Sequence, residues 1–250
     1  MNKAPTLRLD RLLANLGYGT RREVERMVWA DLVTLDGVPL EDADQRIAIT
    51  SDLSTRILIN GMPLDPPPGL LLMLHKPLGV TCSHKEQGPL VYSLLPERWR
   101  RREPAISTIG RLDKETSGLL LLTDDGALLH KIISPRSQVT KRYDVTLDRP
   151  LRGDEEKIFA SGELMLEGED RPLLPVPMEK VSSTRAYVTL TEGRYHQVRR
   201  MFAAVGNHVT TLHRDSVGNL TLPKDLQAGQ YRILTTGDLA LVLSSPDASL

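Results

Sequence analysis

The sequence predicts an α+β protein, in which a small N-terminal α+β domain is joined to a larger domain with a mixed or antiparallel sheet and flanking helices. Three features support this fold class. Two helical patterns and two hairpin signals fill the first sixty residues, a prolyl run follows at 65–69, and the later strand signals outnumber the helical stretches without alternating regularly with them. Because a prolyl run is a stiff linker, we expect domains at 1–64 and 70–250.

The N-terminal region has the pattern of two helices followed by hairpins. Leucines at helical spacing predict a first helix over residues 9–16, with Asp10 in its first turn, where a carboxylate complements the helix dipole. Residues 20–23 read Thr-Arg-Arg-Glu, which has the form of a capping box and predicts the start of a second helix. Two-residue turn signals at 36–37 (Asp-Gly) and 60–61 (Asn-Gly) follow short apolar runs and predict hairpins.

Basic residues are clustered along the chain, although the 32 basic and 32 acidic residues balance. Local basic clusters on a neutral chain suit a polyanion better than a membrane. Short helices with an arginine-rich outer surface suit structured RNA, which is held through shape and phosphate. A solvated surface is the alternative for each cluster, and contact between RNA phosphates and the cluster at 98–102 is a hypothesis. The arginines expected to contact RNA are Arg8, Arg11, Arg21, Arg22, Arg26, Arg194 and Arg200.

Composition argues against several kinds of site and location. The single cysteine, Cys82, cannot form a disulfide within the chain, which suits a reducing cytoplasm. The six histidines lack paired metal-ligand spacing and no glycine-rich phosphate loop is present, so we expect neither a metal nor a cofactor. No apolar stretch reaches about 18 residues, and the N-terminus has no signal-peptide pattern. We therefore expect a cytoplasmic protein without membrane association, and a monomer, because no helix face is left apolar without compensation.

The larger domain is marked by apolar runs of strand length. Two of them, at 70–74 and 119–122, consist almost entirely of leucine, which indicates strands that are covered on both faces. Further strand signals lie at 143–147, 176–181, 186–190 and 209–212. Helical stretches lie near 90–98, 126–133, 154–160 and 196–205.

The segment 110–118 places Arg111 and Asp113 directly before one of these buried strands. An aspartate held at a rigid strand edge can act as a nucleophile or base, and a nearby arginine can bind an anion. The alternative is a simple turn in which Asp113 caps backbone amides. The same Arg-Leu-Asp tripeptide at 8–10 opens a helix instead, so it is the context that distinguishes the second copy.

A second charged segment lies at the start of the helix predicted near 196–205. The apolar stripe of this helix is formed by Val198, Met201, Phe202 and Val205. At about 100° per residue, Arg199 flanks the stripe and Arg200 points away from it. Arg199 can therefore reach a half-buried site or form a structural ion pair, whereas Arg200 is better placed for solvent or a phosphate.

The N-terminal segments resemble an S4 RNA-binding domain. The resemblance is carried by residues 8–10 with the leucines that follow, by the helix start at 20–22 and by the hairpin at 33–38. Several synthetases and ribosomal proteins share this pattern. The resemblance implies that the small domain binds RNA.

The larger domain closely resembles the pseudouridine synthases. The loop at 110–118, the Lys-Arg-Tyr of 141–143 and the segment 193–201 match the motifs of that family, best in its branch with an N-terminal S4 domain. Within the branch, residues 192–209 and 212–214 are similar to enzymes that modify small-subunit ribosomal RNA. The resemblance covers nearly the whole chain, and its motifs are specific in combination.

This resemblance implies a mechanism in which uracil is detached from N1 and rejoined through C5 without a cofactor. Asp113 would attack the anomeric carbon or take the 2′ proton of the sugar, and Arg199 would pair with Asp113. Tyr143 would pack against the base, and Leu190 would form a wall of the base pocket. Arg111 would occupy the space left by the flipped nucleotide. Because glycosidic hydrolysis usually takes two carboxylates and only Asp113 has the context of a site, isomerisation is favoured.

The resemblance also implies a substrate, 16S ribosomal RNA within a partly assembled small subunit. One alternative is a pseudouridine synthase that acts on 23S ribosomal RNA, since such enzymes share every catalytic fragment. The other is a non-catalytic RNA-binding factor of ribosome assembly. Lys76 and Pro77 match the family as a structural turn near the site, whereas His75 stands where asparagine is expected and is given no role.

Overall fold

The computed structural model describes residues 4–83 and 88–244. The described chain forms two compact units. The first contains the residues up to Leu71 together with Tyr92–Ser107 and Leu122–Gly126, and the second contains the others. Neither unit is continuous in sequence, because two later segments return to the first unit.

The first unit begins with a small α+β region. Its elements are β1 (Thr6–Arg8), α1 (Leu9–Asn15), α2 (Arg21–Trp29), β2 (Val33–Leu35), β3 (Val38–Pro39), β4 (Arg46–Ala48), α3 (Leu53–Arg56), β5 (Ile57–Ile59) and β6 (Met62–Pro63). β1 pairs with β4, and a four-stranded sheet has the order β3-β2-β5-β6. The leucines of α1 share one buried core with Val24 and Val28 of α2 and with apolar strand residues.

The predicted helices and hairpins of this region are confirmed. Thr20 and Glu23 form a reciprocal capping box at the start of α2. Asp36 and Gly37 have φ angles of 52° and 82°, and the turn at 60–61 is formed in the same way, with φ angles of 50° and 75°. Paired positive φ angles give a two-residue turn whose twist matches that of the flanking strands.

Asp10 is fully buried in the first turn of α1. Besides complementing the helix dipole, it binds two arginine side chains. Its carboxylate accepts hydrogen bonds from the side chains of Arg8 at 3.0 Å and Arg21 at 2.7 Å, and from the backbone amide of Arg11 at 2.7 Å. Burial alone would raise the pKa of Asp10, but these hydrogen bonds outweigh it and hold the pKa below its ordinary value. Arg8 and Arg21 are therefore engaged within the unit.

The remaining N-terminal arginines expected to contact RNA, Arg11, Arg22 and Arg26, are exposed. Arg22 and Arg26 are four residues apart on α2 and therefore share one face of the helix, and Arg26 donates to the backbone carbonyl of Arg22 at 3.3 Å. The ion pairs among the described residues of this unit do not include any of the three. Their guanidinium groups therefore remain available to a polyanion.

The cluster at 98–102 also belongs to the first unit, and its last member is structural. Arg102 is 3% exposed and donates to Asp124 at 2.6 Å. It also donates to the backbone carbonyls of Pro66 at 2.8 Å and Pro67 at 3.3 Å. Because the buried guanidinium already holds a carboxylate and two carbonyls, the phosphate contact hypothesised for this cluster does not apply to Arg102.

Arg98 has a similar structural role on the prolyl segment. It pairs with Asp65 at 2.5 Å, and its guanidinium lies 4.2 Å from the centre of the Tyr18 ring. The hydroxyl of Tyr18 in turn accepts a hydrogen bond from the amide of Asp65 at 2.9 Å. These contacts hold the start of the prolyl run against Tyr18, in the turn between α1 and α2.

The helix predicted near 90–98 is wrong in type. The structure has two 3₁₀ turns instead, at Val91–Leu94 and Glu97–Arg101. Pro96 lies between them and cannot continue a helical hydrogen-bond ladder, because proline has no amide donor and its ring clashes with the preceding turn.

A nine-stranded sheet contains the later strands. They are β7 (Leu71–Lys76), β8 (Ser107–Ile109), β9 (Ser117–Thr123), β10 (Lys141–Leu147), β11 (Met178–Ser182), β12 (Arg185–Leu190), β13 (Val209–Val217), β14 (Leu220–Thr221) and β15 (Tyr231–Ile233). The order is β11-β12-β10-β13-β9-β7-β15, with β14 beside β13 and β8 beside β9. β9 is parallel to β13, whereas β10 is antiparallel to β12 and β13, so the sheet is mixed, as predicted.

In the described chain, four helices accompany this sheet. They are α4 (Gly126–Ile133), α5 (Glu155–Ala160), α6 (Gln197–Ala204) and α7 (Thr236–Leu243). The first three lie where helices are predicted. The leucine run of β9 is buried, and the predicted stripe of α6 is buried as well, with Phe202 meeting the ring of Phe159 edge-on at 5.1 Å.

β9 and β13 approach each other closely at Gly118, which has a φ angle of 114°. A Cβ atom at this position would lie 2.7 Å from the amide nitrogen of Arg214 and closer still to its carbonyl oxygen. Glycine is required here for both the backbone angle and the space. The contact fixes the end of the 110–118 segment against β13.

Gly118→Ala should therefore destabilise the protein more than Gly153→Ala. The two glycines have similar φ angles, 114° and 107°, but no described atom lies within 4 Å of a Cβ built at Gly153. Both substitutions add backbone strain of about 1–2 kcal/mol, and overpacking adds about 1–3 kcal/mol more at Gly118 alone. Thermal and urea unfolding measure the difference. Equal midpoints for the two variants would contradict the close approach.

Candidate active site

A cleft of about 380 Å³ lies where several distant segments converge. They are the loop before β9, the start of β10, the end of β12, the segment before α6 and the middle of β13. The volume falls within the range of about 300–1,000 Å³ that is typical of small-molecule pockets. Of the predicted site residues, the cleft is lined by Arg111, Asp113, Tyr143, Leu190 and Arg194.

The loop that carries Asp113 is held by Lys76, the last residue of β7. Its ammonium is fully buried and donates to the backbone carbonyls of Thr116 at 2.8 Å and Pro77 at 2.9 Å, with that of Lys114 at 3.5 Å. Burial lowers the pKa of Lys76. The expected structural turn at Lys76 and Pro77 thus has a physical role, since it anchors the backbone of the 110–118 loop.

Asp113 presents its carboxylate to the cleft, and about 40% of the side chain is exposed. The turn at this position is closed by backbone, because the amide of Thr116 donates to the carbonyl of Asp113 at 3.0 Å. Among the described residues, the carboxylate contacts His196, whose Nε2 lies 3.5 Å from Oδ1. The side chain of Asp113 therefore points to His196 and does not cap the backbone amides of its own turn.

His196 reaches Asp113 from a strained backbone. Its φ angle is 48°, in the left-handed region, where a non-glycine residue costs about 1–3 kcal/mol. The ring of Tyr195 stacks on the imidazole with 3.9 Å between centres and 14° between planes, and Tyr195 is 70% exposed. An exposed aromatic ring at the mouth of a cleft can stack with a nucleic-acid base. Both residues lie in a matched motif, but neither was predicted to have a role.

The interior of the cleft combines apolar walls with cations. Tyr143 and Leu190 are buried, and Leu190 on β12 lies opposite Lys141 on β10. Arg214 lies opposite Tyr143 in the pairing of β10 with β13, and its Nη1 is 3.5 Å from the phenolic oxygen. The sequence motifs include Lys141 and Arg214, but nothing in the local pattern assigned a role to either.

Arg199 does not form the expected pair with Asp113. Its guanidinium donates to the backbone carbonyls of Val209 at 2.8 Å and Glu115 at 2.7 Å. Helical phase correctly placed the residue on the side of α6 that faces the loop. The partner differs because the loop turns a carbonyl, and not the Asp113 carboxylate, toward the helix.

Arg194 and Arg200 are bound by Glu169 and are not free for a phosphate. The Nη1 of Arg200 lies 2.7 Å from Oε1 of Glu169, and the Nη1 of Arg194 lies 3.3 Å from Oε2. The hydrogen bond from Arg200 is the largest of the effects that lower the pKa of Glu169. The position predicted for Arg200, facing solvent or a phosphate, is therefore corrected, because an acidic segment remote in sequence covers it.

Asp113 is the only carboxylate among the described residues that line the cleft. Glu115 is exposed and does not line it. A glycosidase with two catalytic carboxylates needs a second one at the site, and the described lining does not supply it. The arrangement suits a lone nucleophilic or basic carboxylate beside a pocket with an aromatic wall.

Other chemistry is limited in the described chain. Its His, Cys, Asp and Glu residues include no group of three that could hold a metal ion. The thiol of Cys82 is buried, and burial raises its pKa. None of the described helices is long and apolar enough to cross a membrane.

Comparison with known families agrees with this geometry. The family model of RNA pseudouridylate synthases matches residues 70–204, and that of the S4 domain matches residues 7–52. The chain belongs to the RNA pseudouridylate synthase family. It is an isomerase that acts on RNA and carries an N-terminal S4 domain.

Relatives of this pseudouridylate synthase match it over nearly their whole length. The ribosomal small subunit pseudouridine synthase A of Escherichia coli (strain K12) is 39% identical over 241 residues, which are 95% of this chain and 100% of the relative. The uncharacterized RNA pseudouridine synthase YtzG of Bacillus subtilis (strain 168) is 39% identical over 248 residues, 97% and 100% of the two chains. A solved pseudouridylate synthase has a TM-score of 0.66 at 33% identity, covering 94% of this chain and 99% of that one.

Lys76→Met should loosen the 110–118 loop of this pseudouridylate synthase. Removing the ammonium leaves buried carbonyl oxygens without their donor, which costs about 1–3 kcal/mol. Melting temperature and hydrogen exchange of the loop amides measure the effect. Lys131→Met is the matched control, because Lys131 is an exposed residue of α4, and it should change neither. If both variants melt at the wild-type temperature, Lys76 does not anchor the loop.

Proposed function

We propose that the protein converts a specific uridine of 16S (small-subunit) ribosomal RNA into pseudouridine, with Asp113 acting on a flipped nucleotide. The observation that carries the proposal is the position of Asp113, a half-exposed carboxylate and the only one in the described lining of a cleft that also contains Tyr143 and Leu190. The small-subunit assignment is supported by the E. coli relative, a ribosomal small subunit pseudouridine synthase.

The reaction breaks the bond between C1′ and N1 and joins C1′ to C5 of the same base. An oxygen of Asp113 either attacks C1′ or accepts the 2′ proton, and the exposed carboxylate can do both. In each route the base leaves through N1, turns in the cleft, bonds through C5 and then loses the C5 proton. The base is neither oxidised nor reduced overall, so the chemistry needs no redox cofactor.

The other site residues have supporting roles in this proposal. Tyr143 packs against the target base and Leu190 walls the pocket, which suits their burial in the cleft. Arg111 is exposed at the cleft and would fill the space that the flipped nucleotide leaves in the RNA. Arg199 acts on Asp113 through the loop, because it donates to the carbonyl of Glu115.

RNA is bound in this proposal by the S4 domain as well as by the cleft. We assign the phosphate contacts of this domain to three arginines that are exposed to solvent, Arg11, Arg22 and Arg26. Arg8 and Arg21 hold Asp10 and shape the same surface. We assign residues 1–64 to this domain, 65–69 to the linker and 70–250 to the catalytic domain.

The proposed setting is the cytoplasm, where a monomer acts on a partly assembled small subunit. A monomer is the expectation from the sequence, which leaves no helix face apolar without compensation. The cytoplasm is supported by the ribosomal substrate and by the single, unpaired cysteine.

Asp113→Asn should abolish catalysis and leave RNA binding in place. Amide for carboxylate keeps the shape but removes the nucleophile or base, so release of tritium from C5-labelled uridine RNA should fall by about 10³-fold or more. RNA affinity should stay within about twofold, because affinity for RNA comes largely from contacts between cations and phosphates, and a carboxylate does not supply these. Asp170→Asn, at an exposed position outside the cleft, is the control. Tritium release that persists in Asp113→Asn would refute the assigned role.

Deletion of the gene should remove one pseudouridine from 16S ribosomal RNA and leave 23S ribosomal RNA unchanged. Chemical mapping of pseudouridine in both RNAs measures this directly. Loss of a 23S site instead would move the substrate to the large subunit, which the B. subtilis relative leaves open, because its name specifies no subunit. Assays on naked 16S RNA and on partly assembled subunits then identify the particle that is recognised.

A further inference from the structure

Two cations lie in the interior of the cleft without a carboxylate partner. Lys141 is half-buried and Arg214 is 3% exposed, and both line the cleft beside Tyr143. Among the described residues neither belongs to an ion pair, whereas the buried Arg102 and the half-buried Arg200 each have a carboxylate. Buried charges are usually neutralised by a partner. Within the described chain Lys76 and Arg199 also lack a carboxylate, but backbone carbonyls outside the cleft interior take up their donors. Lys141 and Arg214 differ because they line the cleft.

The contacts of Lys141 and Arg214 leave donors unused. Lys141 donates to the carbonyl of Val139 at 3.1 Å, which occupies one of the three hydrogens of its ammonium. Arg214 donates through Nε to the carbonyl of Leu119 at 2.8 Å, and its guanidinium carbon lies 5.9 Å from the centre of the Tyr143 ring. These carbonyls hold both cations in place without cancelling their charge.

The charged form of the Lys141 ammonium is disfavoured in this position. Burial, and then the nearby charge of Arg214, lower the pKa of Lys141 to about 8. A lysine needed only to cap the carbonyl of Val139 gains nothing from a cationic neighbour. An electronegative ligand in the cleft would offset the repulsion, which is the usual reason for a perturbed cation at a functional site.

We propose that Lys141 is a further catalytic residue, which donates a hydrogen bond to a carbonyl oxygen of the target uracil and stabilises the negative charge that the base acquires. Arg214 adds positive charge from β13. The inference rests on the proposed function and deepens it. It assigns the base side of the reaction to cations and the sugar side to Asp113.

The electron balance of the reaction gives Lys141 its task. When the C1′–N1 bond breaks, its electron pair stays on N1 and spreads to O2 and O4 of the ring. C1′ meanwhile bonds to Asp113, or gains a double bond to C2′ after Asp113 removes the 2′ proton, which is later returned. C5 then bonds to C1′ as the bond from C1′ to Asp113 breaks, or as the double bond from C1′ to C2′ opens and C2′ takes back its proton. The C5 proton then leaves and N1 takes up a proton. The base is anionic only between these events, so a fixed cation lowers the barrier that leads to them.

Lys141→Met is the test, because it removes the charge and retains the length of the side chain. The single-turnover rate of tritium release should fall by about 10²-fold, as expected for the loss of one donor to a developing anion. Affinity for the RNA should stay within about twofold and the melting temperature should not fall, since the contact is made with the base during the reaction. Lys141→Arg is the matched control and should recover part of the rate.

The pH profile separates a catalytic charge from a structural one. Because the protonated ammonium is the active form, the wild-type rate should fall as pH rises through about 8. This alkaline limb should be absent from the slow Lys141→Met variant and shifted to higher pH in Lys141→Arg. The other charged or titratable groups that line the cleft are common to all three proteins, and they are Arg111, Asp113, Tyr143, Arg194, Tyr195, His196 and Arg214.

Each outcome of this experiment decides the question. A reduced rate with intact folding and affinity, together with loss of the alkaline limb, supports the proposal. A rate for Lys141→Met within about twofold of wild type, or an unchanged limb, overturns it while the proposed function stands. A parallel loss of folding or RNA affinity that Lys141→Arg does not restore also overturns it, in favour of a structural role. If the wild type itself releases no tritium from ribosomal RNA, the proposed function fails and this inference fails with it.

Discussion

The buried ammonium of Lys76 is the interaction on which the site depends. It lies at the end of β7 and donates to carbonyl oxygens of two separate segments, at Pro77 and Thr116. An ammonium has three donor hydrogens, one more than a neutral amide group, and a buried charge is tolerated here because carbonyl dipoles surround it. With its backbone fixed in this way, the loop closes its own turn and leaves the carboxylate of Asp113 directed into the cleft. Arg199 then binds the same fixed loop through Glu115.

Arginine side chains serve two distinct purposes in this protein, and basic clusters in the sequence do not separate them. Arg21, Arg102 and Arg200 each bind a carboxylate that is remote in sequence, and in each case the pair ties two segments together. Arg22 and Arg26 are exposed on one helix face. Since a guanidinium that already holds a carboxylate must break that contact to bind phosphate, the polyanion surface is smaller than the clusters suggest.

Local structure could be predicted from the sequence, but the partners of charged side chains could not. The turn at 36–37 and the leucine run of β9 are specified by neighbouring residues, so they folded as predicted. Family motifs correctly suggested that Asp113 and Tyr143 share a cleft. The acceptors of Arg199 depend on which atoms of remote segments come within about 3 Å, and no local pattern encodes that distance. The strained φ angle of His196 could not be predicted either, because it too depends on contacts with remote segments.

The charges of the cleft suit the bond that the proposed reaction breaks. Asp113 stands alone as a carboxylate in the described lining, whereas Lys141 and Arg214 bring positive charge to the interior beside Tyr143. Cleavage makes the sugar carbon electron-poor and the base electron-rich, so opposite charges on the two sides stabilise both products of the same step. A second carboxylate would favour loss of the base to water. In the proposed reaction, cations that hold the detached base in place would favour its return through C5, so the proposed charge pattern suits isomerisation better than hydrolysis.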